Sequence, residues 1–396
     1  MKRYIIILLI ILATGINGLS SPSTSDTSVY LITCAPGTDT YSIYGHSALR
    51  IIIPEKKSDI AYNWGVFDFS TPNFVWKFAK GRLSYMLDAG SFDSFMQIYL
   101  YEKRSVYSQE INLESSEINE LIGLIKENLK PENKSYRYDF FYDDCSTRIR
   151  DLIEKVVGKK LIYPPDEIKN VPTFREKVGE YQKIYPWLKM GIDLIMGTPG
   201  DKKAFFRDRM FLPIDMQNNL SRAVINRNRK MIPLLQPAET LLEFDPPRVK
   251  QRFYSAPIFI FTLIFILIIF LSSLLKKHKL MRIMDSLIFT LFSILSLLMI
   301  FFNFFTDHQQ MRNNLNIIWF NPFIIICLLC LLFRKTGQIW FRIVFILSVV
   351  FFPVMVIFPN AVNISFVPVI FILALRSSAR GNFSWNPLSV DMIAGK

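Results

Sequence analysis

Histidine and cysteine are scarce in this chain, which has three histidines and four cysteines among its 396 residues. A zinc site takes four nitrogen, sulfur or oxygen ligands, and the part of the chain before the long hydrophobic runs offers only three histidines and cysteines. Only Cys34, Cys145 and His46 precede the long hydrophobic runs of the C-terminal part. We therefore expect no metal and no cofactor, and any thiol or imidazole chemistry in the N-terminal part must use these three residues.

A basic excess is also missing where a nucleic-acid-binding protein would carry it. The chain has a formal net charge of +13, yet basic and acidic residues nearly balance over residues 21–254. The remaining basic residues lie mostly beside hydrophobic segments. This distribution argues against nucleic-acid binding and is typical of a membrane protein whose loops are oriented by positive charge.

The N-terminus has the pattern of a secretory signal peptide, "MKRYIIILLIILATGING". A basic start precedes an apolar stretch that is short for a membrane span, and small residues follow it. We predict a signal peptide over residues 1–20, with an uncleaved anchor as the alternative. No cysteine follows, so a lipoprotein anchor is not indicated. In both cases the next domain is exported.

Hydrophobic runs long enough to cross a bilayer fill the C-terminal part of the chain. They predict an all-α membrane domain over residues 255–376, preceded by a linker over 222–254 and followed by a cytoplasmic tail over 377–396. Its five predicted spans are 255–275, 280–305, 317–333, 343–358 and 361–376.

The charges between these spans predict the topology. Residues 276–282, "KKHKLMR", residues 334–342, "RKTGQIWFR", and the tail with Arg376 and Arg380 are basic, as cytoplasmic segments usually are. The exported domain precedes the first span, which gives the same orientation independently. We therefore expect a multi-pass protein of the inner (cytoplasmic) membrane with its N-terminal domain in the periplasm, in contact with the lipid bilayer.

One loop of the membrane domain, "TDHQQMRNNLN", then faces the same side as the exported domain. It carries His308, and two interpretations are open. The loop is either a solvated turn or a floor beneath an active site, because polar groups buried near a bilayer face are often functional.

The exported domain, residues 21–221, has the pattern of an α+β fold. Residues 28–53 predict two strands joined by a turn, and an aromatic-rich strand follows near Asn63. Residues 71–101 are densely aromatic, which suits either core packing or an acyl-chain trough at the membrane. Helical periodicity predicts a helix from about Cys145 to Val157 that ends at Gly158.

Cys145 stands at the start of that predicted helix, in "YDFFYDDCSTRIRDL". The helix dipole and free backbone N–H groups favour a thiolate there. His46, the one histidine of the exported domain, could accept the proton. Asp143 and Asp144 would oppose the thiolate if they lay close, although their position also suits capping. On the residues alone, Cys145 is a nucleophile, a disulfide partner of Cys34, or a buried core residue.

Four segments taken together resemble one family. They are "LITCAPGTDTYSIYGHSALRI", "YNWGVFDFSTPNFVWKFAKGRLSYML", "YRYDFFYDDCSTRIRDL" and "MGIDLIMGTPGD…MFLP", and "FFTDHQQMRNNLNIIWFNPF" is similar to the membrane region of the same family. The chain resembles the Lnb family, the lipoprotein N-acyltransferases of Bacteroidota. The domain also resembles a permuted papain-like fold, in which the histidine strand precedes the cysteine helix.

The resemblance implies that Cys145 is the nucleophile and His46 the base. It also implies a third polar residue after the histidine strand, with Asn63 the first choice and Asp68 the second. Backbone N–H groups near Cys145 and Ser146 are the expected oxyanion donors. We further expect Ser146, Trp64, Asp68 and His308 to contact substrate. The family often shows asparagine before the cysteine, where this chain has Asp144.

The implied reaction is acyl transfer between two membrane-anchored partners. The expected donor is membrane phospholipid, and the expected acceptor is the amine of a diacylated lipoprotein. A cell-wall peptidase or amidase, or a phospholipase, would use the same two residues. A non-catalytic assembly or sensor protein with a Cys34–Cys145 disulfide is the remaining alternative.

Overall fold

The computed structural model describes residues 27–166, 169–249, 252–275, 278–359 and 361–383. The predicted signal peptide, 1–20, and residues 384–396 of the predicted tail lie outside them. The strands are β1 Ser28–Cys34, β2 His46–Ile53, β3 Ser58–Val66, β4 Ser84–Ser91, β5 Val106–Glu110, β6 Ser135–Arg137, β7 Leu161–Ile162, β8 Val224–Arg227, β9 Lys230–Pro233 and β10 Glu239–Leu242.

Helices connect the strands and then form the C-terminal part. The α-helices are α1 Phe74–Ala79, α2 Phe92–Glu102, α3 Ser115–Leu129, α4 Pro131–Lys134, α5 Cys145–Val157, α6 Phe174–Tyr181, α7 Pro186–Ile195, α8 Pro213–Leu220, α9 Pro257–Leu274, α10 His278–Phe304, α11 Phe323–Leu332, α12 Gln338–Ile357 and α13 Phe366–Arg380. Short 3-10 helices are Pro54–Lys56, Gly158–Lys160, Thr198–Asp201, Asp208–Phe211, Phe253–Ser255, Gln309–Met311 and Leu315–Ile318.

A seven-stranded sheet organises the N-terminal domain, in the order β10-β5-β1-β2-β3-β4-β6. Its neighbouring strands are antiparallel. The predicted pairing of β1 with β2 is present, with Cys34 opposite His46 at the end of the hairpin. The predicted α+β class is therefore confirmed for this domain.

The two faces of the sheet pack against different helices, because alternate residues of a strand point to opposite faces. Along β1, Leu31 joins the core beneath α3 and α5, whereas Ile32 and Cys34 join the core beneath α2. Cys145 belongs to the first of these cores. The sheet thus separates Cys34 from Cys145.

Helix α5 begins and ends at the predicted residues. Asp144 caps its N-terminus by accepting a hydrogen bond from the Thr147 backbone N–H at 2.8 Å, and the Thr147 hydroxyl bonds back to the Asp144 N–H at 2.7 Å. This reciprocal arrangement is a capping box. Gly158 follows the last turn with φ of +63°, a conformation that favours glycine.

The segment predicted as a linker, residues 222–254, is mostly part of the folded domain, so that prediction was wrong over its first half. Strand β8 pairs with β7 and β9 in a small second sheet, and β10 forms an edge of the main sheet. Arg227 donates to Glu117 of α3 at 2.5 Å and fixes β8 to the core. Short polar strands between turn residues carry a weak pattern, which explains the error.

Four helical segments are long and apolar enough to cross a membrane: Pro257–Leu274, His278–Phe304, Leu315–Leu332 and Gln338–Ile357. They correspond to the first four predicted spans. The fifth predicted span, 361–376, becomes α13, which has 15 residues and is largely buried in the bundle. The all-α membrane domain of about five helices is therefore confirmed.

The third span is interrupted. A 3-10 turn, Leu315–Ile318, precedes α11, and Pro322 stands at the break. The Asn321 amide donates to the Ile318 carbonyl at 3.0 Å, and the Ser296 hydroxyl donates to the Asn321 carbonyl at 2.8 Å. Side chains thus satisfy carbonyls that the break leaves without a helical partner, as a break inside a bilayer requires.

The predicted start of the tail at residue 377 was wrong, since α13 continues to Arg380. Arg376 and Arg380 are not loop charges. Arg376 makes a bidentate pair with Asp285 of α10 at 2.6 and 3.1 Å, and Arg380 donates to the same carboxylate at 2.6 Å. Asp285 and Arg376 are both 0% exposed, and such charges in a membrane domain require a partner.

The loop after α10 is docked onto the N-terminal domain. Asp307 pairs with Arg82 at 2.9 Å and with Arg137 at 3.2 Å. The Gln310 carbonyl accepts from the Gly197 N–H at 2.8 Å, and the Gln310 amide donates to the Asp139 carboxylate. A solvated turn, the first of the two interpretations of this loop, is therefore wrong.

Helix α7 is a second connection between the two parts. Met190 and Leu194 pack against the core of the membrane bundle. Asn316, from the loop of the third span, donates to the Leu194 carbonyl at 3.1 Å, and Asn363 donates to the Asp193 carboxylate at 2.8 Å. The N-terminal domain is thus held directly against the helices, not only through the chain that joins them.

Candidate active site

Cys145 is the first residue of α5, and backbone N–H groups surround its thiol. The N–H groups of Ser47, Ser146 and Cys145 itself are placed to stabilise a thiolate. The Ser146 hydroxyl lies 3.9 Å from Cys145 Sγ and 3.2 Å from the Ser47 hydroxyl. A helix N-terminus supplies such donors because its first N–H groups have no partner within the helix.

His46 begins β2 and is oriented by Asn63 of β3. Its Nε2–H donates to Asn63 Oδ1. A neutral imidazole that donates from one nitrogen accepts on the other, so this bond leaves Nδ1 available as a base. Asn63 was the first choice for the third residue, and the structure brings it to the histidine.

Cys145 and His46 line the same pocket, together with Asn63. Both residues are described, and no hydrogen bond joins the Cys145 thiol to the His46 ring. In substrate-free enzymes, catalytic hydrogen bonds are often long and tighten only in the substrate complex. Gly65, also in the wall, adopts φ of +89°, and a Cβ there would lie 3.8 Å from the Cys145 Cβ. A glycine is favoured there by its backbone conformation.

Burial keeps both partners uncharged at rest. It lowers the pKa of His46 to about 4, with the nearby Arg104 adding to the effect and the Asn63 hydrogen bond opposing it. Burial also raises the pKa of the Cys145 thiol, against the N–H donors of Ser47 and Ser146. Burial thus favours a neutral thiol and a neutral imidazole in one pocket, and His46 could accept the thiol proton.

The two aspartates before the cysteine have different surroundings. Asp143 makes a bidentate pair with Arg148 at 2.6 and 3.0 Å, and that guanidinium lies 3.4 Å from the centroid of the Tyr136 ring. Burial raises the pKa of Asp144 well above its usual value, and the Cys145 sulfur adds to the effect. Burial thus favours the neutral form of Asp144, and in that form the carboxyl would not oppose a thiolate.

The pocket around Cys145 has a volume of about 490 Å³ and two unlike walls. One wall is polar, with Glu102 and Arg104, which pair at 2.7 Å. The Arg104 side chain is 6% exposed, and its Nη2 has no hydrogen-bond partner among the described residues. The other wall is aromatic, where Tyr85 and Tyr138 stack at 4.5 Å between ring centroids.

Two of the predicted substrate contacts have side chains that form hydrogen bonds within the protein. Trp64 is fully buried in the core, and its indole N–H donates to Asn128 at 2.9 Å. Asp68 is exposed in the turn after β3, where it accepts from the backbone N–H and the hydroxyl of Ser70 at 2.8 and 2.6 Å. Trp64 nevertheless lines the pocket of Cys145, so its contact with substrate stays a prediction. Asp68 is not among the lining residues, and its contact with substrate stays a prediction as well.

His308 and Ser146 lie near the site in different ways. Ser146 is fully buried and contacts Cys145 and Ser47, so its side chain supports the thiol. His308 bonds to the Phe78 carbonyl at 2.9 Å and lines an apolar cavity that adjoins the pocket. The loop thus forms a floor beneath the site, which was the second interpretation.

Cys34 is not joined to Cys145. Both are free thiols, on the two faces of the sheet. Cys34 is 0% exposed in the core beneath α2. Burial raises its pKa to about 12, while Arg104 and the Tyr99 hydroxyl act against this. The disulfide alternative is not supported by this arrangement.

Among the described residues, no cluster of three or more histidine, cysteine or acidic side chains could hold a metal.

Comparison with known families agrees with this architecture. Residues 20–173 match the family model of the Lnb N-terminal periplasmic domain, and residues 249–383 match that of the Lnb transmembrane domain. The chain belongs to the Lnb family. It therefore has a periplasmic N-terminal domain and a multi-span membrane domain. A search of curated proteins and a search of solved structures each found no match, so the permuted papain-like fold stays a prediction.

Several residues of the site were not identified from the sequence. Ser47 and Gly65 follow His46 and Asn63 closely, but their roles depend on a backbone N–H and a positive φ. Tyr138 carried a signal in the aromatic run before Cys145. No sequence pattern pointed to Arg104 and Glu102, because they reach the pocket only through the packing of α2 on the sheet.

Proposed function

We propose that this Lnb-family protein is a lipoprotein N-acyltransferase of the inner membrane. It moves an acyl chain from phospholipid, through a thioester at Cys145, to the α-amine of a diacylglyceryl-cysteine. One observation carries the proposal: Cys145, His46 and Asn63 share a pocket that adjoins an apolar cavity built partly by the membrane domain. A soluble substrate would not require an apolar cavity beside the site.

In the first half-reaction, His46 Nδ1 takes the Cys145 proton as sulfur attacks the ester carbonyl of the phospholipid. The C–S bond forms, and the N–H groups near Cys145 and Ser47 stabilise the oxyanion. The ester C–O bond then breaks, and the His46 imidazolium returns the proton to the leaving alkoxide. The products are a thioester at Cys145 and a lysophospholipid.

In the second half-reaction, the free α-amine of the lipoprotein attacks the thioester. The N–C bond forms while the C–S bond breaks, and the amine proton passes through His46. The Cys145 thiol is restored, and the lipoprotein gains an amide-linked chain. An exported domain has no ready supply of acyl-CoA or ATP, which favours phospholipid as the donor.

The test uses the full-length protein in phospholipid nanodiscs, wild type beside Cys145→Ala. Intact mass should show a fatty-acyl adduct that hydroxylamine removes and that Cys145→Ala lacks. Adding a diacylated lipopeptide should discharge the adduct and yield an N-acylated peptide.

Three other results are distinguishable. An adduct that discharges only to water would make the protein a phospholipase. Lysis of purified peptidoglycan without an acyl adduct would support the peptidase or amidase. A wild-type mass that is lower by two hydrogens until reduction, a difference that Cys145→Ala lacks, would assign Cys145 to a disulfide if no adduct forms, and it would overturn the proposal.

A further inference from the structure

An apolar cavity of about 250 Å³ lies between the N-terminal domain and the loop after α10. Its walls come from three separate places. Leu83 and Phe141 belong to the N-terminal domain, Ile192 and Ile195 to α7, and Met311 to the membrane domain. The cavity therefore exists only while the two parts of the chain are docked.

This cavity adjoins the pocket of Cys145. The two spaces share the residues Tyr44, Phe78, Tyr85, Tyr138 and Phe140. A chain bound covalently to Cys145 Sγ must leave the sulfur along one wall or the other. The opposite wall carries the Glu102–Arg104 ion pair, which an alkyl chain would have to desolvate.

The far side of the cavity is fixed by hydrogen bonds. The Asp307 N–H donates to the Lys80 carbonyl at 2.9 Å, and Gly197 donates to the Gln310 carbonyl at 2.8 Å. Gly197 also permits close approach, since a Cβ there would lie 1.8 Å from the Arg312 carbonyl oxygen. A wall held at so many points cannot recede freely from a longer chain.

We propose that this cavity receives the distal part of the acyl chain bound at Cys145, and that Ile195 and Met311 limit its length. The inference rests on the proposed function. The membrane domain then takes part in substrate selection, because its loop with Met311 closes the cavity and so limits the length of the acyl chain.

The experiment measures acylation of Cys145 by intact mass in the full-length protein. The donors are phosphatidylglycerols with chains of 10 to 20 carbons, and p-nitrophenyl butyrate serves as a short activated ester. Ile195→Trp fills the cavity, and Met311→Ala enlarges it. Ile162→Trp is the matched control, because Ile162 is 38% exposed on the N-terminal domain and lines neither space.

Ile195→Trp should keep the butyryl rate and lose about tenfold or more in acylation by long chains, since a filled site excludes further methylenes. Met311→Ala should shift the preferred length upward. Ile162→Trp should match the wild type with every donor.

An unchanged length profile in both cavity variants, with butyryl labelling intact, would overturn the inference while leaving the proposed function in place. If Ile195→Trp lost labelling by every donor, the Met311→Ala profile would decide alone. Wild-type protein that no ester acylates at Cys145 would instead overturn the proposed function itself.

Discussion

Cys34 and Cys145 lie in one domain and pack against one sheet, yet they differ in the neighbouring groups that could activate a thiol. Cys34 ends a strand, faces the core beneath α2 and interacts with the Tyr99 hydroxyl. Cys145 begins a helix, faces three backbone N–H groups and borders a pocket with His46. Burial raises the pKa of both thiols, so a low resting pKa does not distinguish one from the other. Access to a base and to oxyanion donors does.

The sharpest test of this comparison replaces each cysteine in turn. Cys145→Ala should abolish acyl-enzyme formation, because no other described thiol lies in the pocket. Cys34→Ala should keep activity and lower the free energy of unfolding by about 1 kcal/mol, through loss of a small buried group. Intact mass and thermal unfolding measure the two effects. An equal loss of acylation in both variants would show that a change on the Cys34 face of the sheet disturbs the pocket of Cys145.

His46 stands opposite Cys34 in the β1–β2 register, yet its side chain lines the pocket of Cys145. His46→Ala should lower the acylation rate by about 10²- to 10⁴-fold, the usual contribution of a general base. His278→Ala, at the exposed start of α10, is the matched control and should leave the rate unchanged. Stopped-flow release of nitrophenol from p-nitrophenyl butyrate measures both, and a normal rate in His46→Ala would remove it from the mechanism.

The neutral state of the Cys145–His46 pair predicts an unusual pH profile. The base form of His46 is required, and its pKa of about 4 keeps that form present in mild acid. At pH 5 about 90% of the wild-type protein should have His46 in its neutral base form, whereas a histidine with the ordinary pKa would be about 3% neutral. The acylation rate should therefore fall only as pH drops through about 4. An acid limb near 6.5 would mean that the pair is not buried in solution.

Substitutions of Asp144 should have the smallest effects on the acylation rate. They also separate the role of its charge from its role as the cap of α5. Asp144→Asn keeps a cap acceptor and is neutral, so activity should stay close to wild type. Asp144→Ala removes the cap of α5 and should cost about 1 kcal/mol of stability. Thermal unfolding and acylation rates are measured side by side. A large rate loss in Asp144→Asn would show that a charged carboxylate is needed.

The sequence predicted those features that depend on local patterns. The β1–β2 pairing, the bounds of α5 and the positions of the four long membrane helices follow from alternation, capping residues and apolar length. His46 and Cys145 were identifiable because so few residues of their types occur. Asn63 was chosen through resemblance, and its contact with His46 requires the pairing of β2 with β3.

Features that depend on tertiary packing were not predictable in the same way. Residues 222–254 looked like a linker because β10 gains its order from β5, which lies far away in sequence. Arg376 and Arg380 looked like loop charges because Asp285, their partner, stands on another helix. The aromatic residues of the segment 71–101 also have different environments, which only tertiary packing decides. Tyr99 is core, whereas Trp76 is 56% exposed and stacks on Phe301 of α10.

The pairing of Asp285 with Arg376 also bears on how the chain is assembled during synthesis. Helix α10 enters the bilayer with Asp285 before α13 has been made, and α13 then arrives with two arginines. A charged side chain alone opposes insertion, by about 2.5–3.5 kcal/mol at the centre of a membrane helix. The cost is smaller toward the helix ends, where Asp285, Arg376 and Arg380 lie. Their contact removes an obstacle from both helices at once, so α13 can complete the insertion of a helix whose Asp285 precedes Arg376 by 91 residues. A chain that ends before α13 would leave the Asp285 carboxylate without its two arginine partners.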